Sequence, residues 1–165
     1  MADISREEAG WAVARIWLDA LEDTARDFFG NRPKVFAKRA YEHAAENLIS
    51  IMEKDYGIQA DKADSIKSAI ESYIKLGVHA GLFTDKTEFS IKEYTNSRVE
   101  VTVHKCPYID SCAHLLSEGV PISNITCARI GCFSGAVQAL AEEDTIYEVH
   151  SVKLTGGCTG AVLKA

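Results

Sequence analysis

The sequence predicts an α+β domain in which N-terminal helices precede a four-stranded antiparallel sheet, with a helix inserted between the two hairpins. Three observations carry that expectation. Apolar residues recur at helical spacing through the first half of the chain, the period drops to two after Gly81, and helical spacing returns across ITCARIGCFSGAVQALAEE before two last strands.

Taken in order, Ser5 followed by Glu8 forms a capping box, which bonds free backbone N–H groups reciprocally and starts a helix. Trp11, Ala14, Leu18, Leu21 and Ala25 supply its apolar spacing, and Gly30-Asn31 ends it. Pro33 suits the first turn of a second helix, where its missing N–H costs nothing. Val35, Ala40, Ala44, Leu48, Ile51 and Met52 form that helix's apolar face, and Gly57 closes it. A third helix is expected from Asp61 to Val78, with Ile66, Ile70, Tyr73, Ile74 and Gly77 as its buried stripe. EFSIKEY and RVEVTVHK then read as a hairpin turning at Asn96-Ser97, the second strand alternating cleanly through Val99, Val101 and Val103. CPYIDSCAHLLSEGVPISN is a loop enclosing a short helix. After the fourth main helix, TIYEVHSVKL and TGAVLKA pair across Thr155-Gly156-Gly157.

Length suggests one domain with an ordinary core across residues 1–165. Hydrophobic residues make up 47% and charged residues 25%, the profile of a soluble globular protein. No apolar run approaches the roughly 20 residues a membrane helix requires, and MADISREEAGW lacks the apolar region of a signal peptide. A net charge of −6, with lysines interspersed among acids, argues against a nucleic-acid surface. Five cysteines are an odd count without an export signal, so a cytoplasmic location with reduced thiols is expected.

The richest chemistry lies in YEVHSVKLTGGC, Tyr147 to Cys158. Alternation places Ile146, Glu148, His150 and Val152 on one strand face, and Cys158 begins the returning strand. Cys127 and Cys132 stand about 140° apart around the fourth helix, so one of them joins the strand residues while the other packs. Cys127, His150, Cys158 and Glu148 would make a tetrahedral zinc set; as residues alone they also read as buried thiols and a hydrogen-bonded histidine. In VHKCPYIDSC, Cys106 and Tyr108 read either as a strand end with an aromatic lid, or as the lining of a ligand cavity. Cys106 as a nucleophile would need a base, with His104 and His114 as candidates. Gly131 and Gly135 lie four apart on one helix face, where another backbone or a ligand can approach closely. His79, at the end of the third helix, reads as a dipole contact or as a polar group in an apolar pocket.

From Leu76 to Leu163 the chain resembles the 4-vinyl reductase, or hydrocarbon-binding, domain superfamily. Cys127, Gly131-Cys-Phe-Ser-Gly135, Glu148 and the late Gly-Cys158 carry the likeness. That resemblance implies a small α+β protein, commonly a homodimer, with a cavity between helices and sheet beside a zinc site. The family's usual ligands are a cysteine before the glycine-containing helix, a glutamate and a cysteine on the next strand, and a cysteine after the turn. Cys127 matches the first and Cys158 the last. His150 stands where the strand cysteine falls, and Glu148 lies two residues before it, where the family spaces three. His79 and Cys106 fall near positions lining the pocket of aromatic sensors. The expectation is therefore a small apolar or aromatic ligand, bound beside a structural zinc.

CPY…C…GGC also looks like the aminothiazoline carboxylate hydrolase family, which implies a small hydrolase acting through Cys106 or a metal-bound water. Similar cysteine arrangements occur in iron–sulfur regulators, so an iron–sulfur or redox-sensing module is the third alternative.

Overall fold

The computed structural model describes residues 4–30 and 34–165. The helices are α1 (Arg6–Phe29), α2 (Lys34–Tyr56), α3 (Ile66–His79), α4 (Ile109–Ser117) and α5 (Ala128–Ala141). The strands are β1 (Phe89–Thr95), β2 (Arg98–Val103), β3 (Thr145–Lys153) and β4 (Gly157–Lys164). They form one antiparallel sheet of order β1-β2-β4-β3. The two hairpins are thus joined edge to edge through β2 and β4, and α4 and α5 lie between them in sequence. The expected α+β architecture is the observed one.

α5 is the centre of the molecule. It packs on α2, α3, β3 and β4, and its buried residues run around its whole circumference, from Ile130 through Phe133 to Val137. A helix apolar on all sides belongs inside. Its glycine pair sets the approach of α2. A Cβ at Gly131 would meet the Tyr41 ring at 2.2 Å, and one at Gly135 would meet the Glu42 Cα and the Tyr41 carbonyl at 2.8 Å. The close backbone approach expected at these glycines is therefore made by α2.

That packing selects the buried stripe of α2. Ala37, Tyr41 and Ala45, spaced four apart along one face, are buried, while Val35 and Ala44 lie off that face and are exposed. The expected stripe through Val35 and Ala44 is corrected accordingly. Pro33 lies outside the described residues. α3 begins at Ile66, not Asp61: Ser65 accepts from the Ser68 N–H and caps the helix, and the Asp61 carbonyl accepts instead from the Ser72 hydroxyl at 2.8 Å. α1 starts with the expected capping box at Ser5 and Glu8. Its apolar residues are largely uncovered, with Trp17 68% and Phe28 80% exposed.

β3 carries a bulge. Its register on β4 shifts between Val149 and Ser151, leaving His150 unpaired. Tyr147 and Val149 face the core, opposite Val162 and Gly160. Glu148 stands opposite Ala161, on the other face. Beyond the bulge the phase changes, so that Val152 pairs with inward-facing Cys158. The single face expected for Ile146, Glu148, His150 and Val152 is therefore split.

Candidate functional site

An aromatic cavity of about 410 Å³ opens among the helices. Its walls come from α1 (Gly10, Trp11, Ala14), α3 (Tyr73), the loop after α3 (Leu82, Phe83), the segment entering α4 (Tyr108) and the first turns of α5 (Ala128, Arg129, Cys132, Phe133). No strand residue lines it, in contrast to the cavity between helices and sheet that the resemblance implies. The sheet's inner face is already filled, since Val99, Val101 and Val103 are fully buried in the same core cluster as Ile130 and Phe133. Rings meet edge to face around the cavity: Trp11 on Tyr108 at 6.1 Å and Tyr73 on Phe133 at 6.0 Å. Such pairs hold rigid apolar walls.

Two charged residues line the cavity, Glu7 of α1 and Arg129 of α5, and of these only Arg129 is buried. Arg129 is 9% exposed, and its guanidinium lies 4.5 Å from the Phe83 ring centroid and 5.6 Å from that of Tyr108. Among the described residues it makes no salt bridge, and its buried Nε has no hydrogen-bond partner. Burial raises the Tyr108 phenol, and it pushes the Cys132 thiol up to about 12, so both stay neutral at physiological pH. Sequence reasoning missed Arg129, Trp11, Phe83 and Phe133 as site residues. A signal existed for the first, because Arg129 is the only charge in ARIGCFSGAVQALA.

A second, much smaller recess lies behind Tyr108. Its volume is about 20 Å³, and Cys106, Cys112, Cys127 and Cys158 all line it, with Glu22 and Arg129 at its margin. Cys127 is the N-cap of α5, and its Sγ lies 4.0 Å from that of Cys158. A hydrogen bond with Cys158 is the main cause lowering the Cys127 thiol, helped by the backbone N–H groups of Ile130 and Arg129 and opposed by burial. The same bond holds Cys158 well above the usual thiol value. Burial pushes Cys106 up to about 11 and Cys112 up to about 12.

Zinc–sulfur bonds near 2.3 Å imply about 3.8 Å between two sulfurs of a tetrahedron. The Cys127–Cys158 pair fits that spacing. Glu148 and His150 do not join it. They pair with each other at 3.2 Å on the outer side of the sheet, and Glu148 also lies 3.8 Å from Arg98. The strand alternation that turns Tyr147 and Val149 inward turns Glu148 outward, and the bulge leaves His150 exposed. Among the described residues, no three His, Cys, Asp or Glu side chains stand close enough to hold a metal ion. The four expected ligands are thus brought together as two separate pairs.

The remaining candidates are spread out. Tyr108 lines both the cavity and the recess, whereas Cys106 lines only the recess. His79 is exposed and borders a separate surface hollow with Val78, Phe89 and Ile91. His104 is exposed and bonded to Ser90 at 2.6 Å, and His114 pairs with Glu118 at 3.3 Å. A thiol raised by burial, as Cys106 is, lies in the direction opposite to nucleophile activation.

No family model matches the chain, and no curated protein matches it by sequence. Among solved structures, it is similar to the crystal structure of the phenol-responsive sensory domain of the transcription activator PoxR with phenol. The TM-score is 0.53 at 16% identity, over 91% of this chain and 74% of that one. The two share a fold. No helix among the described residues is long and apolar enough to cross a membrane.

Proposed function

We propose that this chain is a single small-molecule-binding domain of the 4-vinyl reductase type, and that it takes a small aromatic or apolar ligand in the cavity walled by Trp11, Tyr73, Phe83, Tyr108 and Phe133. The observation that carries this reading is the cavity itself: about 410 Å³, enough for a ring-sized molecule, with mostly apolar and aromatic walls and Arg129 as its one buried charge. The shared fold with a phenol-responsive sensory domain supports it. Of the ligand-lining residues expected from the sequence, Tyr108 holds that role here, while Cys106 and His79 stand apart from the cavity.

A structural zinc belongs to the same proposal with a changed ligand set. Cys127 and Cys158 supply two sulfurs already 4.0 Å apart, and Cys106 and Cys112, lining the same recess, would have to close in around the ion to supply the others in place of Glu148 and His150. Such a closed thiolate site contributes folding energy by tying the start of α5 to the last hairpin. A cytoplasmic setting that keeps these thiols reduced suits it. A homodimer completes the reading: the exposed row of Val13, Trp17, Leu21 and Phe28 on α1 fits a second copy of the chain.

The test is titration of the whole chain with phenol, benzyl alcohol and benzoate, followed by tryptophan fluorescence and by melting temperature. Saturable quenching with a raised Tm, weakened in Trp11→Ala, is expected. Absence of binding across the panel overturns the reading.

A further inference from the structure

A buried guanidinium without an ion-pair partner is strongly disfavoured, and a buried N–H without an acceptor adds to that. Arg129 carries both burdens: it is nine-tenths buried, has no salt bridge among the described residues, and leaves Nε unpartnered. Phe83 and Tyr108 lie against the guanidinium at 4.5 and 5.6 Å, and aromatic faces do attract a cation. They cannot accept its in-plane N–H bonds, because those donors radiate from the edge of the fork. What remains unsatisfied is the buried Nε donor of a guanidinium at the wall of an aromatic cavity.

Other groups near the cavity leave that need unmet. Glu7 of α1 also lines the cavity but forms no ion pair with Arg129. Tyr108 and Cys132 stay neutral, held so by burial. On the side of the recess, Cys106 and Cys127 lie near enough to feel the guanidinium, but neither accepts from its buried Nε.

We infer that the ligand of this cavity is an aromatic or apolar carboxylate, its ring against Trp11, Phe83 and Phe133 and its carboxylate on the donor edge of Arg129. This deepens the proposed small-molecule reading and rests on it. A carboxylate matches the guanidinium fork in a bidentate pair, the strongest planar recognition that side chain offers. A neutral phenol brings no charge to pair with Arg129. An aromatic amine would place a second cation against the first.

Calorimetric titration of the whole chain with benzoate, phenol and benzylamine tests this, in the wild type and in Arg129→Gln and Arg129→Lys. Benzoate should bind wild type at least about tenfold more tightly than phenol, the worth of a charge-assisted hydrogen bond. Benzylamine should not bind. In Arg129→Gln benzoate should weaken at least about tenfold more than phenol does, so that the benzoate preference vanishes. Arg129→Lys, which keeps the charge without the fork, should recover part of the preference, and it takes over the test should the glutamine variant fail to fold by circular dichroism. Phenol binding as tightly as benzoate overturns this inference alone. Equal weakening of both ligands in Arg129→Gln also overturns it, since it assigns Arg129 a structural role. No binding by any of the three compounds overturns the cavity reading along with it.

Discussion

Two buried charges on facing elements, Arg129 and Glu22, show how a single side chain sets both stability and chemistry. Replacing Arg129 by methionine removes the uncompensated charge and keeps the volume, so the unliganded chain should gain about 1 kcal/mol. That gain should appear as a Tm a few degrees higher by calorimetry, with the benzoate response lost. Glu22 of α1 is buried and accepts from the Tyr41 hydroxyl at 3.0 Å. Burial raises its carboxyl above the usual 4.5, against hydrogen bonds from Thr126 and Tyr41. A carboxyl raised in the folded state holds its proton longer there than in the unfolded chain. Its contribution to stability is full below the unfolded value and is lost as pH rises through the folded one. Glu22→Gln should therefore raise the Tm at pH 7, and the difference should disappear below pH 4.5. A constant difference across that range would show that Glu22 does not titrate in the expected sense. Neither residue is conspicuous by spacing, because burial of a charge is a property of its neighbours.

At the scale of elements, the α2–α5 crossing depends on two glycines. In Gly135→Ala the new methyl group would stand 2.8 Å from two backbone atoms of α2, which cannot rotate away. The helices must separate, at a cost of about 1–3 kcal/mol in urea denaturation with the slope unchanged. The glycine pair was legible in the sequence as a site of close approach, and its partner was not. Nothing local to α5 says that Tyr41 and Ala45 will lie against it. The same holds for β3. Its period-two pattern was legible and located the strand well, yet a one-residue bulge reversed the phase at Val152 and left His150 outside the ladder. A bulge answers to pairing with β4, where Gly160 stands opposite Val149, and a strand read alone carries no sign of it.

For the whole molecule, the cysteines draw together what the chain keeps far apart. Cys106, Cys112, Cys127 and Cys158 come from the end of the first hairpin, α4, the cap of α5 and the start of β4, and they line one recess. Elemental analysis of the purified chain should find about one zinc per chain, diminished in Cys127→Ser and Cys112→Ser and retained in His150→Ala. Zinc lost with His150 would restore the outward pair as ligands. Zinc retained in both cysteine variants would exclude the recess.

The sequence by itself determined the fold class, the order of helices and hairpins, and the inward face of β2, because periodicity and capping are local and are read within a few residues. It also singled out Cys127 and Cys158, whose sulfurs lie 4.0 Å apart, and Tyr108, which borders the cavity. Only the tertiary structure decided that Glu148 and His150 turn away from them, and that the cavity lies among helices rather than against the sheet. Only the tertiary structure left a single guanidinium unpaired in its wall. The reason is physical: which donors meet depends on strand register and helix crossing, and both are settled by packing between segments distant in the chain.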